Sequence, residues 1–266
     1  MAALTDRPDV RLDQTGPVAT VTLSRPEVLN AQTPQTWGAL REFGRELSGE
    51  VRVVVVRGEG RSFSAGLDRA LLSPGAAGEL AGGTGDGTPA QLAGMPPDAA
   101  AARIADFQQA FAWLRRPDLI SVAAVQGHAI GAGFQLALAC DLRVLSQDAQ
   151  LTMAEVTHGL VPDLGGTKRL VELIGYARAL ELCVTGRRVG AAEAERIGLA
   201  NLVVPGAELT AAVDDLVAAV LSAPRDAVIE IKALLLAAAG RTFADQERAE
   251  REAQVRRLRD LAGSGE

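Results

Sequence analysis

The feature that most limits what this chain can fold into is the run Val51-Arg52-Val53-Val54-Val55-Val56-Arg57, halted at once by Gly58-Glu59-Gly60. Consecutive β-branched residues favour extended backbone. A short apolar run bounded by turn residues reads as a buried strand. Ser121 to Val125 has the same form and runs into Gly127. After each strand comes a glycine-containing turn: Arg61-Ser62-Phe63-Ser64-Ala65-Gly66-Leu67-Asp68 in the first case, Gln126-Gly127-His128-Ala129-Ile130-Gly131-Ala132-Gly133 in the second. Glycine lets backbone approach a ligand closely. A helix starting at such a turn leaves free amides at the positive end of its dipole. Two amides converging from two such turns would form an oxyanion hole, in which each donor contributes about 3 to 4 kcal/mol to the transition state. Spacing alone leaves the commoner alternative open, since many strand–turn–helix junctions serve only packing.

The remaining pattern supplies further alternation of strand and helix. Val18 to Leu23 reads as a strand ended by Ser24-Arg25-Pro26, and Thr33 to Leu47 as an amphipathic helix with Trp37, Leu40, Phe43 and Leu47 on one face. Ser73 to Pro97, rich in Gly, Pro, Ala and Thr, reads as a mobile surface loop, expected to order over a ligand. Helices are expected over Ala99 to Leu114, Gly131 to Ala139, Tyr176 to Thr185 and Ala191 to Ile197, and strands over Asp141 to Leu145 and Ala200 to Val204. From Ala207 the pattern is almost wholly helical, so a boundary is placed near Pro205-Gly206, dividing a 1–205 core from a 206–266 helical region. The charged stretch Asp245 to Leu261 reads equally as a solvated helix or an oligomer contact.

Composition closes several classes. The net charge of -6 argues against nucleic-acid binding, which needs clustered Lys and Arg. Cys140 and Cys183 lie in apolar runs without a second ligand nearby in sequence, so neither a metal site nor a disulfide framework is expected. No apolar stretch reaches the ~20 residues a membrane span needs, and MAALTDRPDV has no signal-peptide core. The expectation is a cytoplasmic protein without a membrane partner. With 48% hydrophobic but only 3% aromatic residues, the core must be built from Ala, Leu, Val and Ile.

Several of these segments, in their order, resemble the enoyl-CoA hydratase/isomerase (crotonase) superfamily: Ser24-Arg25-Pro26 with Leu29-Asn30-Ala31, Phe63 to Asp68, Gly127 to Gly133, Ala139-Cys140-Asp141, Glu155 to Leu170, Leu182 to Gly186 and Ala191 to Leu199. The resemblance implies an α/β, crotonase-like spiral of β-β-α units with a helical C-terminal trimerisation region, assembled as a homotrimer or as a hexamer. It implies an acyl-CoA substrate and no cofactor beyond that coenzyme A thioester. By position, the oxyanion amides would be those of Leu67 and Gly131. Ser64, Ala65, Gly66 and Asp68 would line the coenzyme A path, mostly through backbone. Arg25 would lie near its phosphates, and Lys232 is a weaker candidate for the same task. Arg25 reads otherwise as an exposed turn arginine.

Hydratases of this family hold their water between two glutamates. Here the first position is Gln135 and the second is Glu155. An amide can position water but cannot take its proton near neutral pH. One carboxylate still suffices to move a double bond, by removing a proton alpha to the thioester and returning it at the gamma carbon. The expected chemistry therefore leans to isomerisation, with Glu155 as acid/base. Asp163 stands where family dienoyl-CoA isomerases carry a catalytic aspartate and aroyl-CoA dehalogenases a nucleophile. Dehalogenase or hydrolase chemistry through Asp163 and non-catalytic acyl-CoA binding are the alternatives. The plain structural readings are a helix-start residue for Glu155, a helix cap for Asp163, a buried helix residue for Gln135, and structural roles for His128 and His158.

Overall fold

The valine run is buried on both faces, and this fixes the layering. Residues 2–7, 9–72 and 87–263 are described by a computed structural model of the chain. The strands are β1 (Ala2–Arg7), β2 (Val10–Thr15), β3 (Val18–Leu23), β4 (Val53–Gly58), β5 (Ile120–Val125), β6 (His128–Ile130), β7 (Leu142–Ser146), β8 (Gln150–Thr152), β9 (Arg188–Gly190) and β10 (Leu202–Val204). The helices are α1 (Pro34–Glu46), α2 (Pro89–Gly94), α3 (Pro97–Ala112), α4 (Ala132–Ala139), α5 (Gly166–Ile174), α6 (Tyr176–Thr185), α7 (Ala191–Ile197), α8 (Leu209–Ser222), α9 (Arg225–Ala238) and α10 (Phe243–Gly263).

Among the described residues, seven strands form one sheet in the order β1-β2-β3-β4-β5-β7-β10. It is antiparallel through β1, β2 and β3 and parallel from β3 onward. Side chains alternate across β4, so Val54 and Val56 join the core formed with Trp37, Phe43 and Phe111, whereas Val53 and Val55 join Leu209, Val213 and Val217 of α8 on the other face. A parallel strand covered on both sides needs this double apolar pattern. Helix α8, which opens the C-terminal stretch, is thus one of the layers covering the large sheet.

A second, smaller sheet, β6-β8-β9, receives the chain immediately after the large-sheet strands. Its β6 follows β5, and its β8 follows β7. Isolated parallel bridges from Ser64 to Ala129 and from Gln32 to Leu67 repeat the relation one and two turns earlier. Each turn of the spiral therefore places one long strand in the large sheet and one short extended piece beside the glycine turns. This stacks the two turns read from the sequence directly on each other.

Most sequence expectations hold within two residues. The sequence pattern does not show β1 and β2, nor the three-residue strands β6, β8 and β9; β10 lies within the expected Ala200 to Val204. Within the expected loop, residues 89–94 form α2, started by Thr88 in a capping box with Gln91. Residues 73–86 of that expectation lie outside the described residues. Among the described residues, no helix is long and apolar enough to cross a membrane.

Candidate active site

The site begins where the two turns meet. Gly66 has φ +83°, and a Cβ there would stand 2.3 Å from Ile130 O and 3.4 Å from Ala132 N, so only glycine permits this approach. The bridge to Gln32 uses the flanking groups: Gln32 N–H donates to Gly66 O at 2.7 Å and Asp68 N–H donates to Gln32 O at 2.8 Å. The Leu67 N–H between them faces the other way and has no acceptor among the described residues.

The second expected donor is corrected. Gly131 N–H donates to Thr152 O at 2.8 Å, because it continues the ladder of β6 on β8, a pairing the sequence pattern did not suggest. Gly131 is instead the residue before α4, at φ 51° and ψ -118°, with no side-chain cap. The amide left open beside Gly66 is that of Ala132, the first residue of α4, whose N–H has no intrahelical acceptor. The signal for Ala132 was present in the glycine-opened helix. What the sequence did not show was which residue still belonged to the ladder.

Glu155 lies in the single turn of 3-10 helix after β8. A Cβ on residue 131 would stand 3.3 Å from Glu155 Oε1, so the glycine also makes room for this carboxylate. Gln135 projects from the first turns of α4 and is only 1% exposed. Its Nε2 donates to Glu155 Oε1 at 2.7 Å, while its Oε1 accepts the N–H groups of Leu164 at 2.9 Å and Gly166 at 3.2 Å. Those two main-chain donors fix which end of the amide is oxygen, so the end facing Glu155 must be the NH2. Glu155 Oε2 is buried without a hydrogen-bond partner among the described residues. Burial pushes the Glu155 carboxyl above its ordinary range, and the charge of Asp163 adds to this, against its hydrogen bond from Gln135.

Asp163 is likewise pushed up by burial. It is not the cap of α5: Gly165 holds that position, with no side-chain bond to the helix. Its main-chain oxygen is held by Gln108 Nε2 of α3 at 2.7 Å. Glu155 is thus bonded to Gln135 and lies within reach of the charge of Asp163.

The coenzyme A candidates divide. Ser64 is fully buried; its hydroxyl donates to Asn30 O at 2.8 Å and accepts from Gln32 and from Gly66 N–H, while both main-chain groups pair with residues 128 and 130. It shapes the turn and has no polar group left to face a ligand, contrary to the expectation. Ala65 N–H is taken by Leu29 O. Arg25 is no exposed turn residue: its side chain is 21% exposed, and it donates to Asp68 Oδ2 and to Ala31 O, each at 2.9 Å. Arg25 and Asp68 are therefore each other's partners at the rim. Asn30, at φ 55°, ties this rim together by donating to Glu59 O and Ser62 O.

Lys232 does not face a phosphate. It is 6% exposed and donates to Asp141 Oδ2 at 2.6 Å and Leu119 O at 2.7 Å, anchoring α9 to the sheet. His128 Nδ1 lies 3.2 Å from the buried Ser62 hydroxyl, and His158 is exposed on the turn beyond Glu155, so neither enters the site around Glu155. Cys140 is fully buried, its thiol pushed up to about 12 by that burial. No group of three His, Cys, Asp or Glu among the described residues could hold a metal ion.

A spiral of this kind with stacked glycine turns defines a crotonase-type α/β fold. The family model for enoyl-CoA hydratase/isomerase matches residues 85–260. The short-chain-enoyl-CoA hydratase of Clostridium acetobutylicum is 34% identical over 76% of this chain and 70% of its own length. Among solved structures, a Thermobifida fusca YX protein assigned to the enoyl-CoA hydratases and crystallised with acetoacetyl-CoA superposes with a TM-score of 0.89 at 49% identity, covering 95% of both chains. An enoyl-CoA hydratase from Polaromonas sp. JS666 gives 0.81 at 31% identity, covering 96% of this chain and 93% of its own. The chain belongs to the enoyl-CoA hydratase/isomerase family and is an enzyme of that kind.

Proposed function

We propose that the enzyme moves the double bond of an enoyl-CoA by proton transfer, with one carboxylate, Glu155, as the base. The thioester oxygen accepts the N–H groups of Leu67 and Ala132, which are open and adjacent across Gly66. Glu155 removes a proton from the carbon alpha to the thioester of a 3-enoyl-CoA. The electron pair of that C–H bond spreads into the carbonyl, and negative charge builds on the oxygen between the two amides. The double bond moves into conjugation as a proton returns to the gamma carbon, either from Glu155 or from Asp163. No water is consumed; where Asp163 is the donor, the proton taken by Glu155 passes back to Asp163 and restores the starting state.

The observation that carries this reading is the orientation of Gln135. Its acceptor oxygen is already occupied by Leu164 and Gly166, so it offers only a donor to the site. It can hold the Glu155 carboxylate in place but cannot take a proton from an attacking water. An elevated carboxyl such as Glu155 is also a better match for a weakly acidic C–H than an ordinary one. The similarity to a protein crystallised with acetoacetyl-CoA supports the ligand class.

The test is to offer purified protein a 3-enoyl-CoA and a 2-enoyl-CoA separately. Growth of conjugated-thioester absorbance from the first, with solvent deuterium incorporated into the product, is expected. Conversion of the second to a 3-hydroxyacyl-CoA at a comparable rate, with no isomerisation, would overturn the reading. Tight binding with no turnover of either would show an acyl-CoA carrier.

A further inference from the structure

We infer that the cavity behind Gln135 receives the distal end of the acyl chain and is built for a chain that ends in a carboxylate. This rests on the isomerase reading above, which it extends to a substrate class.

The cavity has a volume of about 520 Å3 and begins at Gln135 and Leu164, the residues that border Glu155 and Asp163. It follows α4 away from the glycine turns as far as Ala139. At 1.5 Å rise per residue, that is about 6 Å beyond Gln135. Phe111, Ala112 and Leu236 give its flanks apolar surface, beside the amides of Gln108 and Gln109. A chain leaving the reacting carbons past Gln135 and Leu164 would enter a cavity whose walls are partly apolar and partly amide.

The far end is not apolar. Arg169 reaches the end of α4, where its Nε donates to Leu138 O at 3.3 Å, and Arg115 lines the same cavity. The two guanidinium groups share one carboxylate. Glu172 lies 3.1 Å from Arg169 and only 3.9 Å from Arg115, and Lys168 also claims it at 3.4 Å. Three cations thus face one anion. At 3.9 Å Arg115 makes an ion pair but no hydrogen bond, and its side chain is 33% exposed, so its donors remain available. An arginine with free donors at the end of such a cavity is suited to bind a carboxylate through two parallel N–H bonds.

The experiment compares kcat/KM for 3-octenedioyl-CoA with that for 3-octenoyl-CoA, probes that differ only in the terminal carboxylate. The wild-type enzyme is expected to favour the diacid thioester by about tenfold or more, the scale of one hydrogen bond to a charged group. Arg115→Met is expected to bring the ratio near unity, and Arg115→Lys to restore part of it. Equal turnover of both probes, or a ratio unmoved in Arg115→Met, overturns the proposal while leaving the isomerase reading intact. Failure to isomerise either probe overturns that reading itself. The wild-type ratio decides the question even if the variants fold poorly.

Discussion

Gln135 and Glu155 are joined by a 2.7 Å hydrogen bond in which the amide donates and the buried carboxylate accepts. The direction is imposed from behind, by Leu164 and Gly166 N–H on the amide oxygen. Gln135→Glu places a second carboxyl in that position, still held by the same two amides. Two carboxyls this close share a proton, and the second ionisation is strongly raised. Hydration of a 2-enoyl-CoA is expected to rise by about tenfold or more, equivalent to ~1.4 kcal/mol of barrier. The acid limb of the rate profile is expected to move to higher pH. Steady-state rates across pH for the two proteins check both effects, and an unchanged hydration rate counts against the role given to Gln135.

Glu155→Gln removes the base and is expected to lower kcat by about a hundred- to ten-thousandfold. It should also stabilise the fold at neutral pH. Burial raises the folded-state carboxyl above its unfolded value, so the folded state binds more protons in the window between the two. Stability from this group is therefore greatest at acid pH and falls as pH rises through that window. The variant lacks this loss. Urea melts should show wild type and Glu155→Gln converging near pH 4, with the variant the more stable at pH 7. The same shift predicts a rate that increases with pH through an apparent pKa above the ordinary carboxylate range, since the base must be ionised.

How much of this was legible in the sequence differs between fold and site. The valine run and the two glycine turns carried the layering, because β-branched runs and glycines have few alternative uses. Strands β6, β8 and β9 were not readable: with three residues each, they have no period to detect, and the spiral alone makes them strands. That gap caused the error at Gly131, whose amide is used by the β6–β8 ladder. The resemblance points to Glu155, Asp163 and Gln135 together, and the structure joins Gln135 to Glu155 by a hydrogen bond. The direction of the Gln135 amide depends on Leu164 and Gly166, residues far along the chain whose main-chain groups no side-chain pattern reports. Lys232 was misplaced for a related reason, since a lysine in a helix does not reveal that Asp141 waits beneath it.

Ala132→Pro isolates one oxyanion donor. Proline is well tolerated at the first position of a helix, where the missing N–H has no intrahelical acceptor. Gly131, at φ 51° and ψ -118°, occupies the mirror of the extended region, away from the helical conformation that a following proline disfavours. The fold should therefore survive. The rate is expected to fall by about a hundred- to a thousandfold, with the loss mainly in kcat. Circular-dichroism melts beside single-turnover kinetics distinguish this from a folding defect. A full rate in a well-folded variant would remove Ala132 from the hole.

Lys232→Met tests the correction made to that residue. The ammonium is nearly inaccessible and bonds to Asp141, whose carboxylate also accepts the N–H and O–H of Ser121. Removing the cation leaves the largely buried Asp141 carboxyl short of its charged partner, while the apolar replacement fills the space of the stem. Breaking one half of such a pair typically costs about 3 to 5 kcal/mol. The expected result is a stability loss of that size, seen as a lower urea midpoint. Lys232 has no part in the site around Glu155, so KM for an acyl-CoA measured below the unfolding range should be unchanged. A several-fold rise in KM with unaltered stability would instead return Lys232 to the coenzyme A phosphates.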